Sequence, residues 1–193
     1  MRKSLLFVWA CMGLVCLMSA CKTSVKSKEW KLVWVEDFDQ KNSFDESVWT
    51  KIPRGTSDWN NYMSYYDSCY AMQDGNLILR GIANHTQKND TAPYLTGGVY
   101  TKGKKLFTGG RVEVCARLQA AKGAWPAIWM LPEKAEWPKG GEIDIMERLN
   151  HDHIAYQTTH SYYTHILGIK DNPPHGGINK INPEEYNLSL IHI

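Results

Sequence analysis

From Trp30 onward, apolar positions fall in short runs, many alternating with polar residues, and Gly, Asn, Asp and Pro separate the runs. That is a pattern of strands and turns; few stretches keep the 3.6-residue period of an amphipathic helix. Strands are predicted at 31–35, 70–73, 77–82, 97–102, 110–119, 127–131, 142–147 and 156–160, with Asp74-Gly75 supplying a hairpin turn before Leu77. Many short antiparallel candidates in a chain of one-domain length predict an all-β fold. A β-sandwich follows, in which one concave face can carry chemistry.

The start of the chain breaks this pattern. Residues 1–20 combine a basic beginning (Arg2, Lys3), an apolar stretch over 5–18 and a small-residue end at Ser19-Ala20, the layout of a secretory signal peptide. The run is short for a membrane span, which is the rival reading. Leu17-Met18-Ser19-Ala20-Cys21 resembles a bacterial lipobox, with Met18 where Leu is usual, so Cys21 is expected to carry lipid. Residues 21–28 are then a short polar tether. The expectation is an exported protein, lipid-anchored in the bacterial cell envelope.

Composition narrows the partners. The chain is 43% hydrophobic and 11% aromatic, ample for a core, and its net charge is only +2. Lys and Arg are scattered, so no nucleic-acid partner is expected. Eight Trp and ten Tyr exceed what a domain this size needs. Aromatics fill cores, and their faces also stack on sugar rings. With Cys11 and Cys16 leaving in the signal and Cys21 lipidated, Cys69 and Cys115 remain; export permits a disulfide between them, but on separate predicted strands they read as buried thiols. No cysteine spacing suggests a metal site, and no cofactor is required.

The chemistry concentrates in Gly140-Gly141-Glu142-Ile143-Asp144-Ile145-Met146-Glu147. Strand side chains alternate faces, so Glu142 and Asp144 share a face while strict alternation sends Glu147 to the other. A β-bulge at Ile145-Met146 shifts the parity and brings Glu147 back beside its companions. Crowded carboxylates repel, so one stays protonated while a neighbour is ionised. That division of labour is what glycosidic cleavage needs. A retaining glycosidase requires its two carboxyls roughly 5 to 5.5 Å apart. Four strand steps span roughly 13 Å of backbone, so two long Glu arms must lean inward over the shorter Asp144. The bland alternative for such a triplet is a solvated acidic strand edge.

The surroundings favour chemistry. Gly123-Ala124-Trp125-Pro126-Ala127-Ile128-Trp129-Met130-Leu131, then Trp137-Pro138, lead into the acid run. Trp34-Val35-Glu36-Asp37-Phe38, Trp59-Asn60-Asn61, Asp74-Gly75-Asn76-Leu77 and Gly97-Gly98-Val99-Tyr100-Thr101-Lys102 precede it in order. Together these resemble glycoside hydrolase family 16, the laminarinase, β-glucanase and agarase type, across residues 29–187. The resemblance implies a concanavalin A-like jelly-roll sandwich with a substrate cleft. It implies Glu142 as nucleophile, Glu147 as acid/base and Asp144 as the residue steering the nucleophile's protonation. Trp125 and Trp137 are expected to stack on sugar, Trp129 reads as cleft wall or core, and His160 as a substrate-side or structural residue. Asn60 and Asn61 resemble an Asn pair that contacts sugars, although Tyr62 stands where the family has Glu. His151, Asp152, His153 and His165 lack compact ligand spacing and read as surface or rim residues.

The function implied is an endo-acting, retaining hydrolase of β-1,3 or mixed β-1,3/1,4 glucan, working by double displacement as a monomer on polysaccharide. Alternatives are a β-galactanase acting on agar or porphyran, and a non-catalytic carbohydrate-binding protein. The family continues for several strands beyond Asn187, and part of its structural calcium site lies in that stretch. Residues 188–193, Leu-Ser-Leu-Ile-His-Ile, equal the translation of a transposon-end adapter used in sequencing libraries. They are expected to be adapter translation, leaving the sandwich incomplete at its C-terminus.

Overall fold

The computed structural model describes residues 29–40 and 42–193. The signal, the tether and Cys21 lie outside the described residues. The chain divides into two units, Met1–Glu36 and Asp37–Ile193. In the first, the predicted strand at 31–35 does not form, and Leu32 and Val33 are exposed. An alternating pattern makes a strand only where a ladder takes it up, and no ladder among the described residues includes this stretch.

The second unit is nearly all β. Its strands are β1 (Thr50–Lys51), β2 (Tyr70–Gln73), β3 (Asn76–Leu79), β4 (Gly81–Ala83), β5 (Tyr94–Thr96), β6 (Val99–Tyr100), β7 (Arg111–Ala116), β8 (Ala127–Met130), β9 (Glu142–Glu147), β10 (Ile154–His160), β11 (Gly176–Lys180) and β12 (Asn187–His192). The α-helix α1 is a single turn at Tyr162–His165, closed by a capping box between Ser161 and Thr164. All pairings between these strands are antiparallel. The run 77–82 splits into β3 and β4 at Arg80, because Arg80 N donates to Cys69 O while its own carbonyl accepts from Gly97 N. One residue thus hands the chain to a new partner.

The sheet that matters has the order β11-β10-β9-β8. Behind it, β12 pairs with β7, and Ser189 Oγ of β12 donates to Ile145 O of β9 across the layers. Leu118, Met146 and Ala155 form a buried cluster, with Ala116, Ile128 and Ile181 packed around it. Cys69 is buried as expected, whereas Cys115 falls on the exposed face of β7, whose residues alternate between exposed and half-buried; both are free thiols.

Candidate active site

The predicted bulge is present. Along β10, Tyr156 faces Glu147 and Thr158 faces Asp144; along β8, Ile128 faces Met146 and Trp129 faces Asp144. On both sides β9 carries one residue more than its partner. Ile145 and Met146 are both buried, so the extra residue goes inward and Glu147 turns back to the face of Glu142 and Asp144. The core selects this geometry. A straight strand would trade Met146 for Glu147 in the apolar cluster, losing roughly 1.5–3 kcal/mol of side-chain burial and adding the several kcal/mol of desolvating a carboxylate.

Two glycines deliver the strand to its position. A Cβ on Gly140 would sit 2.4 Å from Pro132 Cγ and 2.6 Å from Ala135 Cβ, while Gly141 has φ +80°. Contact excludes a side chain at the first, and the left-handed backbone disfavours one at the second.

Each glutamate is held by its own tryptophan. Trp137 Nε1 donates to Glu142 Oε2 at 2.6 Å, and Trp125 Nε1 donates to Glu147 Oε1 at 2.8 Å. Both indoles remain about half exposed, at 47% and 50%. Asp144 lies between them and is only 3% exposed. Burial first, then the charges of Glu147 and Glu142 and a hydrogen bond to Glu147, push its carboxyl up to about 7. His160 Nε2 approaches Asp144 Oδ2 to 3.2 Å, but that buried oxygen has no aligned hydrogen bond among the described residues. The imidazole therefore stands close without holding the carboxyl ionised. Both glutamates act on Asp144 through charge, Glu147 more strongly than Glu142.

Other expected residues are distributed unevenly. Trp129, opposite Asp144 in register, belongs to the acid face rather than the core. Trp59 meets it edge-on, with ring centroids 5.2 Å apart. Asn60 closes its own turn, its Oδ1 accepting from Ser57 N at 3.0 Å, whereas Asn61 Oδ1 is buried without a hydrogen-bond partner among the described residues. His165 is exposed and packs on Trp137 at 4.4 Å between centroids, 6.0 Å from His160, at the rim of the site. Among the described residues, no three His, Cys, Asp or Glu side chains are grouped to hold a metal ion.

Three supports had no sequence signal. Arg148 is 4% exposed, and its guanidinium donates to Leu118 O and Asp152 O, both at 2.6 Å. Asn150 Oδ1 accepts from Gly123 N at 2.7 Å and Asn150 N donates to Ala124 O, which pins the loop carrying Trp125. Gln157 reaches the bulge from β10. All three follow from where loops and strands meet in space.

A family model described as the XgeA-like, catalytic GH16 domain matches residues 69–173, more than half of the chain and all of the acid strand. The chain is a member of glycoside hydrolase family 16. It is 42% identical over 144 residues to a keratan-sulfate endo-1,4-beta-galactosidase of Sphingobacterium multivorum, covering 72% of this chain and 34% of that protein. A beta-glucanase of Rhodothermus marinus is 33% identical over 165 residues, covering 80% of this chain and 57% of that protein. The family 16 chain therefore spans between about a third and somewhat over half of these relatives. Among solved structures, the laminarinase catalytic domain of Thermotoga maritima superposes with TM-score 0.71 at 28% identity, covering 86% of this chain and 71% of that one. The family 16 jelly roll is the fold.

Proposed function

We propose that the protein is an endo-acting glycosidase that cleaves β-glucan with retention of anomeric configuration. The observation that carries this is the bulge, which puts Glu147 back on the face of Glu142 and leaves Asp144 in electrostatic contact with both. Two carboxyl groups on one face, one ionised and one able to lend a proton, suit double displacement.

In the first step Glu142 attacks the anomeric carbon, the glycosidic C–O bond breaks, and the leaving oxygen takes a proton from Glu147. An ester bond now joins the sugar to Glu142. In the second step Glu147 takes a proton from water as its oxygen attacks the same carbon, and Glu142 departs as carboxylate. Trp137 and Trp125 fix the two glutamates, and their exposed faces, with Trp129 and Trp59, offer surfaces for sugar rings. Asn61, whose buried oxygen has no hydrogen-bond partner among the described residues, is the proposed polar contact on the Trp59 side. Export and anchoring through Cys21 would bring this cleft to polysaccharide outside the cytoplasm.

A β-galactoside backbone is the second reading, supported by the 42% identity to the Sphingobacterium enzyme. Release of reducing ends from laminarin, mixed-linkage glucan, agarose, porphyran and keratan sulfate separates the two. Cleavage of laminarin or mixed-linkage glucan is expected. Cleavage confined to the galactose polymers favours the second reading, and binding without cleavage of any polymer contradicts both.

A further inference from the structure

The bulge removes a rung from the ladder between β9 and β10, and the gap falls opposite a single residue. With Tyr156 against Glu147 and Thr158 against Asp144, Gln157 stands alone across from Ile145 and Met146. The Ile145 carbonyl is thereby freed from regular pairing inside a buried strand, and a buried acceptor needs a donor. Gln157 Nε2 lies 3.2 Å from Ile145 O and 3.0 Å from Ser189 Oγ. The Ser189 hydroxyl donates to the same carbonyl at 2.8 Å. The other end of the amide is also engaged, since Gln157 Oε1 accepts from Asn179 Nδ2 of β11 at 2.6 Å. A side-chain amide has a donor and an acceptor in fixed relation. Here it stands in for the missing backbone rung and ties the kinked peptide to the strand beyond.

We propose that Gln157 is a positioning residue for Glu147: by holding the Ile145 carbonyl it fixes the bulge, and the bulge fixes where the acid/base carboxyl points. This rests on Glu147 being the acid/base. Among the described residues Gln157 hydrogen-bonds to none of the three acids, so its effect on chemistry must pass through the backbone of β9. Small misplacements of a catalytic group are expensive, on the order of 100-fold for about 1 Å.

The test exploits what an acid/base does. A sugar leaving group needs a proton from Glu147, whereas a dinitrophenolate leaves without one. Gln157→Met keeps length and volume but donates nothing. The expected result is a kcat/KM on polysaccharide lower by about 10- to 100-fold, with kcat/KM for the matching dinitrophenyl glycoside, which reports formation of the glycosyl-enzyme and not the base-assisted second step, within about threefold of the parent. Equal losses on both substrates, or no loss on either, would overturn the proposal. Gln157→Glu, which keeps the shape and puts an acceptor against the carbonyl, should show the same selective loss. A second readout needs no turnover: the Trp125 indole N–H resonance, assigned by its absence in Trp125→Phe, reports the bond to Glu147. It should move in Gln157→Met, and an unmoved resonance would contradict the proposal even if the unaltered chain cleaves none of the substrates.

Discussion

Trp137 and Glu142, five positions apart, are joined by an indole N–H to carboxylate hydrogen bond of 2.6 Å. A tryptophan expected only to offer its face to sugar also holds the nucleophile by its edge. A hydrogen bond to a charged group is worth about 1.5–3 kcal/mol. Trp137→Phe keeps an aromatic face and loses the donor, so kcat should fall by roughly 10- to 100-fold while KM for polysaccharide changes little. Steady-state kinetics check this; a raised KM at constant kcat would mean that Trp137 serves binding alone.

Asp144 gives the site a pH signature. Its carboxyl is pushed up to about 7 from an ordinary value of 3.8, mainly by burial. Between those values the folded chain keeps a proton that the unfolded chain has released, so this group makes stability fall as pH rises through the window. The loss is complete above about 7 and amounts to a few kcal/mol, at about 1.4 kcal/mol for every tenfold difference in proton affinity between the folded and unfolded chains. Asp144→Asn should flatten that slope. Denaturant melts at several values across the window measure it, and an unchanged slope would count against a protonated Asp144.

Arg148 holds the exit from the acid strand to the carbonyls of Leu118 and Asp152. Arg148→Met leaves two carbonyls without their donor, at about 1–3 kcal/mol each. A urea melt should show a midpoint lowered accordingly. A midpoint within error of the parent would show that other donors replace the guanidinium.

His165, beyond the last cleft-facing position predicted on β10, packs on Trp137. His165→Ala should raise KM and lower kcat modestly, because it loosens the residue that holds Glu142. His165→Phe, which keeps a ring there, should restore most of the loss. Failure of the ring to restore activity would show that the imidazole nitrogens act directly.

The acid strand was legible because its chemistry and its kink are both written in local spacing. Acids at Glu142, Asp144 and Glu147 that must share a face require a bulge, and Met146 between apolar neighbours marks where it goes inward. Trp129 was ambiguous in sequence because an indole suits a cleft wall or a core equally; only its register with Asp144 decides. The supports at Gln157, Arg148 and Asn150 were not legible, since each answers a backbone group that is distant or exposed by irregular geometry. The strand expected at 31–35 shows the opposite failure, a good local pattern that no described ladder takes up.

Trapping of the glycosyl-enzyme tests the central claim most directly. A 2-deoxy-2-fluoro glucoside with a good leaving group slows the second step, and peptide mass analysis then locates the bound sugar. A single adduct on Glu142 is predicted. An adduct on Glu147 or Asp144, or turnover that inverts the anomeric centre without any adduct, would contradict the account.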